Sequence, residues 1–155
     1  MRTRKPERTG IEASACRPGA TVFGKPGDPD HEDCVRTIHR ALGAGVGFAG
    51  TAEVYGHSET EEAVGKALRG RRDEVVPATE FNGPTGEGPH RSGGSRRRII
   101  QAVEGSPKRL RTDCIDLHQI HHPDPLDVSH SPPSLTRTNL RRRPAPRPSR
   151  SLSTP

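Results

Sequence analysis

Large apolar residues are scarce in this chain. Leu, Ile, Val and Phe make up 26 of 155 residues, about 17%. That falls below the roughly 20% line under which charged chains tend to stay unfolded, so composition predicts weak or incomplete folding. No window approaches the ~18 apolar residues of a membrane span. The charged start, Met1 to Arg8, has no apolar stretch behind it, so the chain reads as soluble and untargeted. The three cysteines, Cys16, Cys34 and Cys114, are odd in number and form no CxxC pair. That argues against a disulfide framework or a structural zinc site and fits a cytoplasmic location. The run Gly83 to Gly88 lacks the Gly-Lys-Ser/Thr ending of a phosphate-binding loop.

Charge is unevenly spread. The net +6 belongs almost wholly to the segment from Leu126 to Pro155, which holds six arginines and one aspartate. This Arg/Pro/Ser-rich stretch has no periodicity and no core to bury, so it is expected to be disordered. It is also the basis of an alternative function, a non-enzymatic basic protein binding nucleic acid or acidic partners. No aromatic stacking residues accompany the arginines there or at Arg96-Arg97-Arg98, so nucleic acid is an unfavoured partner.

Between these ends, strands and helices alternate. A hairpin turn in residues 8–24 precedes a first strand ending near Thr21 to Phe23, interrupted by Arg17 and Pro18. Asp30 is an N-cap with Asp33 in the first turn, and Val35, Ile38 and Leu42 share one face of the helix that follows. The stretch Gly45 to Gly65 supplies a second, short buried strand, then a loop that holds the only tyrosine, Tyr55, then a helix. Ser58 and Glu61 have capping-box spacing, ahead of the stripe Val64, Ala67, Leu68. Glu74–Thr79 is a third strand, in which Pro77 should damage the ladder. Ser95 opens a third helix bearing Ile99, Ile100, Val103 and Leu110, which Pro107 should break or kink. Cys114–Ile120 is a fourth strand. Alternation of this kind predicts an α/β fold with a parallel sheet. Three successive strand ends carry Gly50 to Tyr55, Glu80 and His121, and in a (β/α) barrel such ends converge on one pocket. A metal site drawn from Cys114, His118, His121, His122 and Asp124 is disfavoured, because 118 and 121 point to opposite faces of a strand.

Several stretches resemble the aldo-keto reductase family. They are Arg8-Thr9-Gly10-Ile11-Glu12, Ala44-Gly45-Val46-x-Phe48, Thr51-Ala52-x-Val54-Tyr55-Gly56, Ser58-Glu59 with Val64-Gly65-x-Ala67-Leu68, Ala78-Thr79-x-Phe81, and Leu110-x-Thr112-Asp113-x-Ile115-Asp116-Leu117-x-Gln119-Ile120-His121. The resemblance spans roughly residues 8–125, leaving 1–7 as a flexible lead and 126–155 as the tail. It implies the N-terminal half of a (β/α)8 TIM barrel, about four βα units, with the tail as a truncated or out-of-frame ending. It also implies NADPH, held in part by Gly19 and Thr21, and reduction of a small carbonyl substrate. Hydride passes to the carbonyl carbon while a tyrosine protonates the oxygen. Tyr55 matches that tyrosine and His121 the histidine that polarises the carbonyl. The family's aspartate and lysine fall on Gly50 and Glu80.

Those two departures predict impaired catalysis. A phenol of pKa ~10 is a poor acid–base group near neutrality without a cation beside it. A charge pair at ~4 Å is worth about 4 kcal/mol at an effective dielectric near 20, and a reversed sign turns help into hindrance. Loss of positioned acid–base help costs about 10²–10⁴ in rate. Pro18, Gly50, Pro77, Glu80, Pro107, Cys114 and His118 are each one transition away from the residue the resemblance implies, a pattern of decay. A complementing half-barrel is the further partner expected.

Overall fold

The computed structural model describes residues 2–6 and 9–122. The tail expected at 126–155, Asp124, and the nucleic-acid alternative that rests on that tail lie outside the described residues. Strand β1 (Thr3–Arg4) pairs antiparallel with β2 (Ala13–Ser14). This hairpin places a paired strand inside the 1–7 lead expected to be flexible. Then follow α1 (His31–Gly43), β3 (Phe48–Gly50), α2 (Glu59–Ala67), β4 (Val76–Phe81), α3 (Arg96–Arg109) and β5 (Leu117–Ile120). Strands β3, β4 and β5 lie side by side in that order, all parallel.

The first barrel strand is shorter than its sequence suggests. Gly50 donates to the Pro18 carbonyl at 3.2 Å, and Ala20 donates to the Gly50 carbonyl at 2.9 Å. These bonds make a single parallel bridge at Gly19. The strand expected to run to Thr21–Phe23 instead turns there, with Phe23 donating back to Ala20 at 2.9 Å. Pro18 lacks the N–H that would prolong the ladder.

Helix α1 forms as its sequence predicts. The Asp30 side chain accepts from the Glu32 amide, Glu32 and Asp33 stand in the first turn, and Ile38 is buried. The core between helices and sheet comprises Ala20, Ile38, Ala49, Val64, Ala67, Leu68, Val75, Leu110 and Ile115, with Phe23, Val35 and Leu42 against it. Small side chains let the layers approach closely. A Cβ on Gly65 would stand 2.6 Å from the Arg109 carbonyl, so α2 meets the end of α3 only because residue 65 has no side chain.

Both prolines expected to do damage sit where the damage is slight. Pro77 lies within β4 and is buried. Val76 donates to Gly47 at 2.8 Å, so even-numbered residues of β4 face β3 and Pro77 faces the β5 side. There the ladder begins only at Ala78 opposite Leu117, and the missing N–H has no partner to lose. Pro107 does not break α3, which continues to Arg109 with Leu110 donating to Ser106 at 2.9 Å. The proline falls in the last turn, so a single intrahelical bond is forgone. Ile100 lies on α3 as expected and is 42% exposed. The fourth strand starts at Leu117 rather than Cys114. Residues 114–116 are held out of the ladder by Arg72, which donates to the Cys114 carbonyl at 3.3 Å and to Asp116 at 2.7 Å.

The capping box at Ser58 and Glu61 is not formed. Gly56, His57 and Ser58 all lie at positive φ (56°, 54° and 78°), and Ser58 makes no side-chain cap bond. Its hydroxyl donates instead to the Glu53 carbonyl at 2.8 Å. Glu61 is fully buried, accepting from Thr79 at 2.6 Å and from Arg109 at 2.5 Å. Arg109 reaches Glu53 at 4.0 Å, and Glu53 is also paired with Arg98. This buried ionic cluster ties the β3–α2 loop, α2, β4 and α3 together.

Candidate active site

Side chains alternate across a strand, so strand register decides which ones face the same way. The pairings Gly19 with Gly50, Gly50 with Ala78, and Glu80 with Gln119 put these residues on one face. Arg17, two residues before Gly19, joins them. Thr79 faces the other way and reaches Glu61 on α2, so the helices cover the opposite face. The face holding Glu80 is the one that turns inward in a barrel.

At the C-terminal ends of β3, β4 and β5 the expected residues come together. The Tyr55 hydroxyl lies 3.3 Å from His121 Nε2, with the two rings edge-to-face at 5.6 Å. Two backbone bonds raise Tyr55 above the sheet: Thr51 donates to Ala78 at 2.9 Å and Glu53 to Glu80 at 3.0 Å. The left-handed run at Gly56 to Ser58 then turns the chain sharply into α2. His121 donates its amide to Phe81 at 2.9 Å. Buried Asn82, at φ +95°, donates its amide to the His122 carbonyl and anchors the backbone beyond His121.

The Glu80 carboxylate, standing where the resemblance implies a lysine beside Tyr55, has His121 and Arg17 as its neighbours. Glu80 Oε2 lies 3.6 Å from His121 Nε2, and Oε1 lies 3.9 Å from an Arg17 terminal nitrogen. Arg17 was read only as an interruption of the first strand. Its guanidinium lies 5.6 Å from the Phe48 ring centroid, and a Cβ on Gly50 would stand 2.7 Å from its Nε. The i, i+2 spacing of Arg17 and Gly19 is the signal that could have placed it here.

Gly19 and Thr21 bear on the cofactor. A Cβ on Gly19 would meet nothing closer than Thr21 Oγ1 at 4.0 Å, so the surface over Gly19 is open beside Gly50. Thr21 is exposed in the turn that follows. Among the described residues no group of three or more His, Cys, Asp or Glu side chains is placed to hold a metal ion. His118 faces the helices, stacked on Phe81 at 4.8 Å. Burial, reinforced by the charge of Arg98, lowers its pKa to about 4, so it is neutral near pH 7.

A parallel sheet with helices on one face and polar groups gathered at its C-terminal strand ends defines half of a (β/α)8 barrel with an enzyme-like site. The family model for the aldo/keto reductase family matches residues 19–135. The chain belongs to the aldo/keto reductase family. It is 42% identical over 122 residues to aldo-keto reductase YhdN of Bacillus subtilis, covering 76% of this chain and 37% of that protein. It is 39% identical over 128 residues to the uncharacterized oxidoreductase YrpG of the same organism, covering 76% and 39%. The holo form of an aldo-keto reductase from Bacillus halodurans superposes with a TM-score of 0.72 at 30% identity, covering 83% of this chain and 42% of that one. The chain therefore spans well under half the length of these relatives. No helix among the described residues is long and apolar enough to cross a membrane.

Proposed function

We propose that this chain carries an NADPH-linked carbonyl-reduction site whose proton-transfer step is impaired. The observation that supports it best is the Tyr55 hydroxyl 3.3 Å from His121 Nε2, in a member of an oxidoreductase family. Gly19 and Thr21 would line the cofactor, which would supply the hydride for the carbonyl carbon. Tyr55 would give its hydroxyl proton to the carbonyl oxygen. The His121 N–H, in hydrogen-bond reach of the same point, would orient that oxygen and polarise the carbonyl. Impairment follows from position 80, where a carboxylate replaces the cation that would make a phenol a better acid–base group. Gly50 adds to it, having no side chain to hold such a cation.

The test is NADPH consumption by the purified chain with an aromatic aldehyde, alongside a melt with and without NADPH. The expected result is no measurable turnover by the purified chain, loss of positioned acid–base help alone costing about 10²–10⁴ in rate. Binding to the folded state would raise the melting midpoint. Steady turnover that Tyr55→Phe abolishes would overturn the proposed impairment.

Two further expectations complete the reading. A complementing half-barrel, the further partner expected, would add strands beside the four lines at Gly19, β3, β4 and β5. The three free cysteines support a reducing, cytoplasmic setting.

A further inference from the structure

We propose that Arg17 is a positioning residue of the strand-end site, filling the volume beside Gly50 and holding Glu80 so that its second oxygen faces His121. The inference rests on the reading of Tyr55 and His121 as the reacting pair, and it concerns how the rest of the site arranges them.

Three observations carry it. First, the guanidinium lies in the space that a side chain at residue 50 would need: a Cβ there would come within 2.7 Å of Nε, 2.8 Å of Cδ and 2.9 Å of Cζ of Arg17. Second, Glu80 stands between a cation on one side and the imidazole on the other, at 3.9 Å and 3.6 Å. Third, Phe48 backs the guanidinium at 5.6 Å, a distance at which a cation is drawn to a ring face. Arg17, Glu80, His121 and Tyr55 thus form a chain across the strand ends, its last link the 3.3 Å approach of His121 to the tyrosine.

The site therefore keeps a cation and a carboxylate, with the cation arriving from the first strand and the carboxylate from β4. Positions 17, 50 and 80 depend on one another. Any side chain at 50 must displace Arg17, and displacing Arg17 releases Glu80 from its outer partner. The altered carboxylate would then be free to change its approach to His121. Glycine at 50 is thus a steric requirement of the arginine as well as a missing carboxylate.

The experiment reads the His121 imidazole carbon-bound proton by NMR in the full chain at fixed neutral pH, away from any turnover assay. Glu80→Gln and Arg17→Met should each move this resonance, whereas Arg17→Lys, which keeps the cation, should leave it near its original position. Gly50→Ala changes no charge, yet it should reproduce the Arg17→Met shift by pushing the guanidinium aside. It also serves if Arg17→Met fails to fold. A His121 resonance that stays put in both Arg17→Met and Gly50→Ala would overturn the proposal, as would Arg17→Lys behaving like Arg17→Met. A chain that never reduces a carbonyl can still give the expected shifts, so this inference and the proposed function fail separately.

Discussion

Replacing Arg98 by Met is a direct probe of what holds the half-barrel together. Arg98 is 4% exposed and pairs with Glu53, which is 1% exposed. The substitution keeps much of the arginine's length and apolar stem but leaves Glu53 buried with a weakened partner. Arg109 lies 4.0 Å from Glu53 and is already engaged with Glu61 at 2.5 Å, so it offers incomplete replacement. Breaking one side of a buried pair costs about 3–5 kcal/mol, against a total stability of roughly 5–15 kcal/mol for an ordinary domain. With so few large apolar residues in the core, a loss of about 3 kcal/mol should be a large share of what this chain has. At a urea m-value of about 2 kcal/mol/M, the midpoint should fall by about 1.5 M. The assay is urea unfolding followed by circular dichroism. Glu53→Gln/Arg98→Met should recover at least half of the loss, because the uncompensated charge is gone. A loss under about 1 kcal/mol in Arg98→Met, or a double variant no better than the single, would refute the idea that the ionic cluster is a main support.

Other consequences follow from the same structure. Glu61→Gln should cost about 3 kcal/mol in urea unfolding, as a member of the buried cluster, whereas a mere capping partner would cost about 1 kcal/mol or less. His118 is lowered to about 4 by burial and by Arg98, while the unfolded chain titrates near 6.5. Between those values the unfolded state binds more protons, so stability should fall as pH drops from about 6.5 to 4, by up to roughly 3 kcal/mol. His118→Gln should flatten that acid limb in pH-dependent melts. Pro107→Ala should leave α3 intact and stabilise it by about 1 kcal/mol, by restoring one backbone bond to Val103; a larger gain in urea unfolding would mean the proline distorts the helix after all.

Sequence alone was enough for the features governed by short-range chemistry. The Asp30 cap, the apolar stripe of α1 and the alternation of strands and helices depend on neighbours in the chain, and those neighbours are in plain view. Tyr55, Glu80 and His121 could be brought together on paper because consecutive parallel strands put their C-terminal ends side by side. Packing decided the rest. The pairing of Glu61 with Arg109 and Thr79 overrode a capping box whose spacing was right, because a buried carboxylate needs its cation more than a helix end needs a second acceptor. Pro77 was harmless because of which side its nitrogen faces, a matter of register. Arg17 looked like a fault in a strand, and only the meeting of that strand with Gly50 revealed a side chain filling the site. Residue order determines the local elements and the list of groups on offer. Which charge meets which depends on three-dimensional distance between residues far apart in the chain, and that was settled only when the sheet and helices came together.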